Sequence, residues 1–183
     1  LLPLKNDLLQ HTVPQPVILL AELVLELMSD ADLDEVLLME YASHAHPWSR
    51  GNFLDSIAAG HWAYCMREAN EEPKTIWAYC ILLPAVDDLH LLNITVNPSM
   101  RRQGLALRLM QAIESIAQNL QIPRILLEVR PSNFAAKALY TKMGFTELAT
   151  RKAYYPLESS TGQREDALVM TKTLKQHANL YEH

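Results

Sequence analysis

The sequence predicts a mixed α/β domain, and three observations predict it. Residues 125–129 form a nearly continuous apolar run, the pattern of a strand covered on both faces. Residues 103–119 place Leu105, Leu109, Ala112, Ile113 and Ile116 on one helical face. Strand-like and helical stretches alternate through the second half, giving two βα units. At 183 residues the chain has the length of one domain, enough to bury roughly 70% of its unfolded surface.

The elements follow in order. Residues 1–20 hold three prolines, show no periodicity and are expected to be a loose leader. Residues 21–27 partly alternate like a strand, although Leu and Glu also favour helix. Ser29 or Asp30 is placed to cap a helix reaching about Ala42. Pro47 breaks the chain there, and Ser49 is placed to start a second short helix through Ile57. Residues 62–67 and 75–83 are β-rich runs around a polar loop at 70–73, a hairpin pattern. Residues 89–96 form the next strand, ended by Asn97-Pro98. After the 103–119 helix and the 125–129 strand comes a helix over 133–143, with Gly144 as its C-terminal cap. Residues 145–155 and 166–174 are the expected last strands, and 175–183 a tail.

Composition narrows the function. A formal net charge of -5 argues against direct nucleic-acid binding, which needs a positive field. It suits a partner that is locally basic. Cys65 and Cys80 are too few for a disulfide framework, and no Cys/His spacing suggests a metal site. Free thiols and a reducing cytoplasm are the expectation. The longest apolar stretch, 17–28, contains Glu22 and Glu26 and is shorter than the ~20 residues a membrane span requires.

The strand ending at Val96 leads into Arg101-Arg102-Gln103-Gly104-Leu105-Ala106 and then a helix. A helix start presents unpaired N–H groups and the positive end of the helix dipole, which together suit a diphosphate. Gly104 allows close approach, Ala106 adds little bulk, and Arg101, Arg102 and Arg108 add positive charge. A plain surface turn with solvated arginines is an equal reading of that local pattern. Neither the dinucleotide glycine fingerprint nor a Gly-Lys-Ser/Thr phosphate loop is present.

Read together, Val96-Asn97-Pro98, Arg101-x-x-Gly104-x-Ala106, Leu127-Glu128-Val129-Arg130-x-Ser132-Asn133, Ala138-Leu139-Tyr140 and Gly144-Phe145 resemble the acetyl-CoA-binding core of the GNAT superfamily of N-acetyltransferases. Within it the chain is most similar to the RimI-type enzymes, which acetylate the N-terminal alanine of a small-subunit ribosomal protein. Leu92-Asn93-Ile94-x-Val96, Tyr154-Tyr155-Pro156, Gly162-x-Arg164-Glu165-Asp166-Ala167 and Ala45-x-Pro47-Trp48-Ser49 add to that likeness. The resemblance spans roughly 21–174, taken as the catalytic domain. His46 departs from it, standing where an apolar residue is expected.

The resemblance implies the GNAT fold, a mixed and mostly antiparallel sheet flanked by helices on both faces and splayed where acetyl-CoA inserts. It implies cofactor contacts from Ile94, Thr95 and Val96 through backbone groups. Arg101, Arg102, Gln103, Gly104, Leu105, Ala106, Leu107 and Asn133 complete the set. It makes Glu128 the proton acceptor and Tyr140 the general acid in direct attack on acetyl-CoA, without an acyl-enzyme. By residue chemistry alone, Glu128 ends an apolar run that would strip its hydration, and a solvent-facing carboxylate is the competing reading. Tyr140 is equally readable as a core-edge tyrosine, although a phenol with pKa near ~10 can protonate a leaving thiolate. Asn133 suits a helix cap, a cofactor contact or both.

Tyr154 and Tyr155 are expected to border the acceptor's peptide groove, or to be structural. His44 and His46 are more readily loop residues than ligands, and no second base stands out beside Glu128. The expected acceptor is a protein N-terminus, with a lysine side chain, a small amine, or a sensor that binds acyl-CoA without turnover as the alternatives.

Overall fold

The computed structural model describes residues 23–69, 75–156 and 163–175. The expected leader, the 70–73 loop and the tail after Lys175 lie outside them. β1, Leu23–Leu27, is a strand and not a helix. Cross-strand pairing decides between the two: β1 runs antiparallel to β2, Trp62–Glu68, and Leu23 and Leu25 enter the core.

The first helix divides at its start. Asp30–Asp32 is a tight 3-10 turn in which the Asp32 carboxylate accepts from the N–H of Ser29 at 2.8 Å. The α-helix proper, α1, is Leu33–Ser43. α2, Arg50–Ala58, starts as expected at Ser49, whose hydroxyl accepts from the N–H of Asn52. β3, Ile76–Pro84, and β4, Asp88–Val96, follow, and then α3, Leu105–Asn119. β5 is Arg124–Val129 and α4 is Phe134–Lys142, closed by Gly144 at φ +89°. β6, Thr146–Pro156, and β7, Arg164–Thr173, complete the described chain.

One sheet of seven strands runs in the order β1-β2-β3-β4-β5-β7-β6. Every pairing is antiparallel except β4 with β5. The helices cover both faces. On one face α3 lays Leu105, Leu109, Ala112, Ile113 and Ile116 on the sheet, joined by Tyr140 of α4 and by Phe145. Each such buried Leu or Ile contributes ~1.5–3 kcal/mol. On the other face Leu33, Val36 and Met39 of α1 and Phe53 of α2 pack against Cys65, Tyr79 and Ile81. The β2–β3 register pairs Tyr64 with Cys80 and Cys65 with Tyr79, so the two thiols point to opposite faces. Both are free and buried. No described helix is long and apolar enough to cross a membrane.

Candidate active site

The site opens where β4 and β5 part. Their parallel pairing runs from Asp88 and Arg124 only as far as Leu91 and Leu127. Beyond it β4 stays with β3 out to Val96, while Glu128 and Val129 of β5 pair with β7. A bulge marks the parting: Leu82 pairs with Leu91 and Ile81 with Asn93, leaving Leu92 as the extra residue. The bulge exchanges the faces of β4. Before it Leu89 and Leu91 face α3; after it Ile94 and Val96 do. Asn93 and Thr95 then turn to the α1 side, opposite Ile81 and Tyr79.

Two cavities occupy the wedge. One, of about 480 Å³, is walled by Ile94, Val96, the turn at Arg101 and Arg102, the residues 104–107 that begin α3, and α4. Gly104 occupies the N-cap position at φ +79°, a conformation that favours glycine. No side chain caps α3 there. A Cβ on Gly104 would meet no atom within 4 Å, and Gly104 lines the cavity. An uncapped helix start, a bare glycine and nearby guanidinium groups fit an elongated ligand with a diphosphate. Arg101 is partly committed elsewhere: its guanidinium donates to the Ser43 hydroxyl at 2.8 Å and tethers the turn to the end of α1. Thr95 and Gln103 are not among the walls of this cavity.

The second cavity, of about 340 Å³, adjoins the first. Glu128, Tyr140 and Tyr155 line it, together with Glu40, His44 and His46. The two cavities share Ile94, Asn133, Ala136 and Tyr140. Asn133 caps α4 by accepting from the N–H of Ala136 at 3.1 Å, which fixes its side chain at this junction. Tyr140 is buried, with its ring 5.8 Å from that of Phe145. Burial, with a smaller push from Tyr155, holds its phenol well above the ordinary value. The group is therefore a protonated donor at working pH.

Glu128 does not sit in the apolar surroundings that its neighbours suggest. Strand alternation buries Ile125, Leu127 and Val129 and turns Glu128 the other way. Its carboxylate accepts from Arg151 at 2.9 Å, and its side chain is 26% exposed. The Tyr154 hydroxyl also bonds it; burial first, then that bond, raises the Tyr154 phenol. Tyr154 itself is outside the cavity wall, whereas Tyr155 lines it and stacks under Arg130, 4.3 Å from ring centroid to guanidinium carbon.

The triplet Arg164-Glu165-Asp166 fixes these pieces. Glu165 accepts from the Ser132 N–H at 2.8 Å and its hydroxyl at 2.9 Å, anchoring the loop into α4. Arg164 donates to the carbonyls of Ala153 and Tyr154, and Asp166 accepts from the Ala153 N–H at 2.9 Å. They hold a distortion of β6 in which Ala153 takes φ +49° and the register slips between Arg151 and Tyr155.

Glu40 is the residue that sequence reasoning missed. It is 1% exposed, yet it belongs to the same face of α1 as Leu33 and Val36. Its carboxylate accepts from the Trp48 N–H at 2.9 Å, the Asn93 amide at 3.3 Å and the Tyr79 hydroxyl. His44 Nε2 lies 3.3 Å away. A carboxylate on an apolar helical stripe, four residues before a histidine, is the signal that would have found it. Among the described residues no cluster of three His, Cys, Asp or Glu side chains is arranged to hold a metal ion.

Similarity to known proteins identifies the family. The family described as Acetyltransferase (GNAT) family matches residues 28–145. The chain is 33% identical over 147 residues to the [ribosomal protein bS18]-alanine N-acetyltransferase of Haemophilus ducreyi, covering 80% of this chain and 97% of that protein. It is 32% identical over 143 residues to the enzyme of that name from Escherichia coli K12, covering 78% and 92%. The crystal structure of the ribosomal-protein-S18-alanine N-acetyltransferase from Escherichia coli superposes with a TM-score of 0.75 at 28% identity, covering 88% of this chain and 99% of that one. With its splayed seven-stranded sheet, its glycine-opened α3 and these relatives, the chain belongs to the GNAT family of acetyltransferases.

Proposed function

We propose that the protein transfers the acetyl group of acetyl-CoA to the N-terminal α-amine of a protein, with the N-terminal alanine of a small-subunit ribosomal protein as the acceptor. The observation that carries this is the junction of two cavities at Ile94, Asn133, Ala136 and Tyr140. One cavity has the chemistry of a diphosphate channel; the other is lined by carboxylate, imidazole and phenol groups suited to an amine. The relatives named for alanine N-acetylation support the choice of acceptor.

Acetyl-CoA supplies an activated thioester. The N–H groups at the start of α3, with Gly104 and Arg102, would hold its diphosphate, and backbone groups of Ile94 and Val96 and the Asn133 side chain would align it. An N–H beside the Leu92 bulge donates to the thioester carbonyl oxygen. Glu128 takes a proton from the acceptor amine through water, and Tyr140 donates one to the leaving sulfur. The acceptor enters between Tyr155 and the 44–48 loop, without nucleic acid or membrane taking part, in a cytoplasmic setting.

An α-amine has an ordinary pKa of ~7.7–8.0 against ~10.4 for lysine, so it needs less help to become nucleophilic at neutral pH. The test offers two peptides in competition: one with a free N-terminal alanine followed by basic residues, the other N-terminally blocked with an internal lysine. Mass spectrometry should find acetyl on the free α-amine and almost none on lysine. Preferential lysine labelling, or transfer only to small amines, would contradict the proposal.

A further inference from the structure

The chemistry proposed above moves more than one proton. An α-amine that arrives as ammonium must lose one proton to become a nucleophile. Once its nitrogen is bonded to the acetyl carbon it carries a positive charge and must lose a second. Glu128, already engaged by Arg151 and Tyr154, accounts for one of them. The same cavity is also lined by a histidine, His44, whose ring has close polar neighbours.

The Asn93 amide donates to Glu40, so its oxygen faces Thr95. The Thr95 hydroxyl hydrogen-bonds that oxygen, at 3.3 Å, and also the Tyr79 phenol. His44 Nε2 is 2.8 Å from the Thr95 oxygen, and the tautomer with its hydrogen on Nε2 is the one that can also donate to the Glu40 carboxylate, which only accepts. Glu40 lies 3.3 Å from the same Nε2. With Nε2–H committed, the neutral ring has its lone pair on Nδ1, which has no partner among the described residues. The ring is 39% exposed and forms part of the acceptor-side wall. The other titratable or charged groups of that wall are Glu40, His46, Glu128, Arg130, Tyr140 and Tyr155.

We propose that His44, held by Glu40 and Thr95, is a second catalytic base that takes the proton released by the acceptor nitrogen when its bond to the acetyl carbon forms. This rests on the α-amine transfer proposed above. The balance closes. Glu128 takes the first proton, through water. The amine's lone pair then makes the N–C bond, and its nitrogen gives the second proton to His44 Nδ1. The C–S bond breaks, the sulfur keeps the bonding pair, and it takes the phenol proton of Tyr140. One of the two protons collected returns to Tyr140, and the other leaves to solvent through the exposed edge of His44. Net, an ammonium and a thioester give an amide, a thiol and one proton. Glu40 is a positioning residue: it is buried, fixes the ring through Nε2, and supplies the counter-charge for the imidazolium.

The test uses the full chain and a peptide with a free N-terminal alanine. His44→Gln, which keeps a polar side chain but cannot take the proton, should lose ~10²–10⁴ in kcat. Calorimetry should show its acetyl-CoA affinity unchanged. His44→Ala should regain part of its lost rate in proportion to added neutral imidazole, a response that wild type lacks and a purely structural role would not give. Wild-type kcat in His44→Gln, or no imidazole rescue of His44→Ala, overturns the inference and leaves the α-amine proposal standing. A wild-type protein that fails to acetylate the peptide overturns both.

Discussion

Arg151 Nε lies 2.9 Å from Glu128 Oε1, a contact that passes over an entire strand. Arg151 is on β6 and Glu128 on β5, and β7 runs between them. The reach is set by the register, which opposes Arg151 to Ala167 and Glu128 to Val169, so a long side chain crosses two small or β-branched neighbours. Glu128 is thereby positioned by a guanidinium, and the cavity it lines is also lined by the buried Tyr140.

Replacing these two groups should separate chemistry from binding. Glu128→Gln and Tyr140→Phe are expected to slow acetyl transfer by ~10²–10⁴, the usual effect of losing a general acid or base. Acetyl-CoA affinity should change little in either, because the α3 turn is untouched. Steady-state kinetics across a pH series, alongside calorimetric titration with acetyl-CoA, checks both halves. Wild-type kcat in both variants would remove the two residues from the mechanism.

Gly104→Glu should bind acetyl-CoA far more weakly while remaining folded. The added Cβ meets no protein atom within 4 Å, so sterics inside the protein do not prevent folding. The φ of +79° costs a non-glycine residue ~1–2 kcal/mol, which a domain of this size survives. The longer chain and its negative charge instead enter the cavity at the start of α3. Calorimetry on a variant shown by circular dichroism to be folded is the measurement. Unchanged affinity would place the cofactor elsewhere.

Stability should fall in alkali. Tyr155 is pushed up to about 12, by burial first and then by the charge of Glu128. Burial likewise raises Tyr140 and the Cys80 thiol. Each of these groups holds its proton more tightly folded than unfolded. Their contribution is complete below the unfolded pKa values, ~8.5 for a thiol and ~10 for a phenol, and is lost as pH rises through the folded ones. The unfolding temperature is therefore expected to decline progressively above pH ~9. Tyr155→Phe should remove part of the decline between pH 10 and about 12. Scanning calorimetry showing level or rising stability over that interval would contradict the assignment.

The local pattern of the chain determined which segments become helices and strands. The amphipathic stripe of α3, the apolar run of β5, the Ser49 cap and the Gly144 terminator all act within a few residues of themselves. The order of the motifs around Gly104, Glu128 and Tyr140 likewise pointed to the candidate site. Tertiary structure decided the rest. Residues 23–27 became a strand because β2 was there to pair with them. Glu128 turned from apolar company to Arg151 because strand alternation, which depends on pairing, sets which face a side chain occupies. Glu40 and His44 joined the acceptor wall through contacts with Thr95 and Asn93, 51 and 53 residues away. The exchange of faces produced by the single extra residue at the Leu92 bulge made that meeting possible. Hydrogen bonds over such separations depend on register and bulge position, which no local window of sequence specifies.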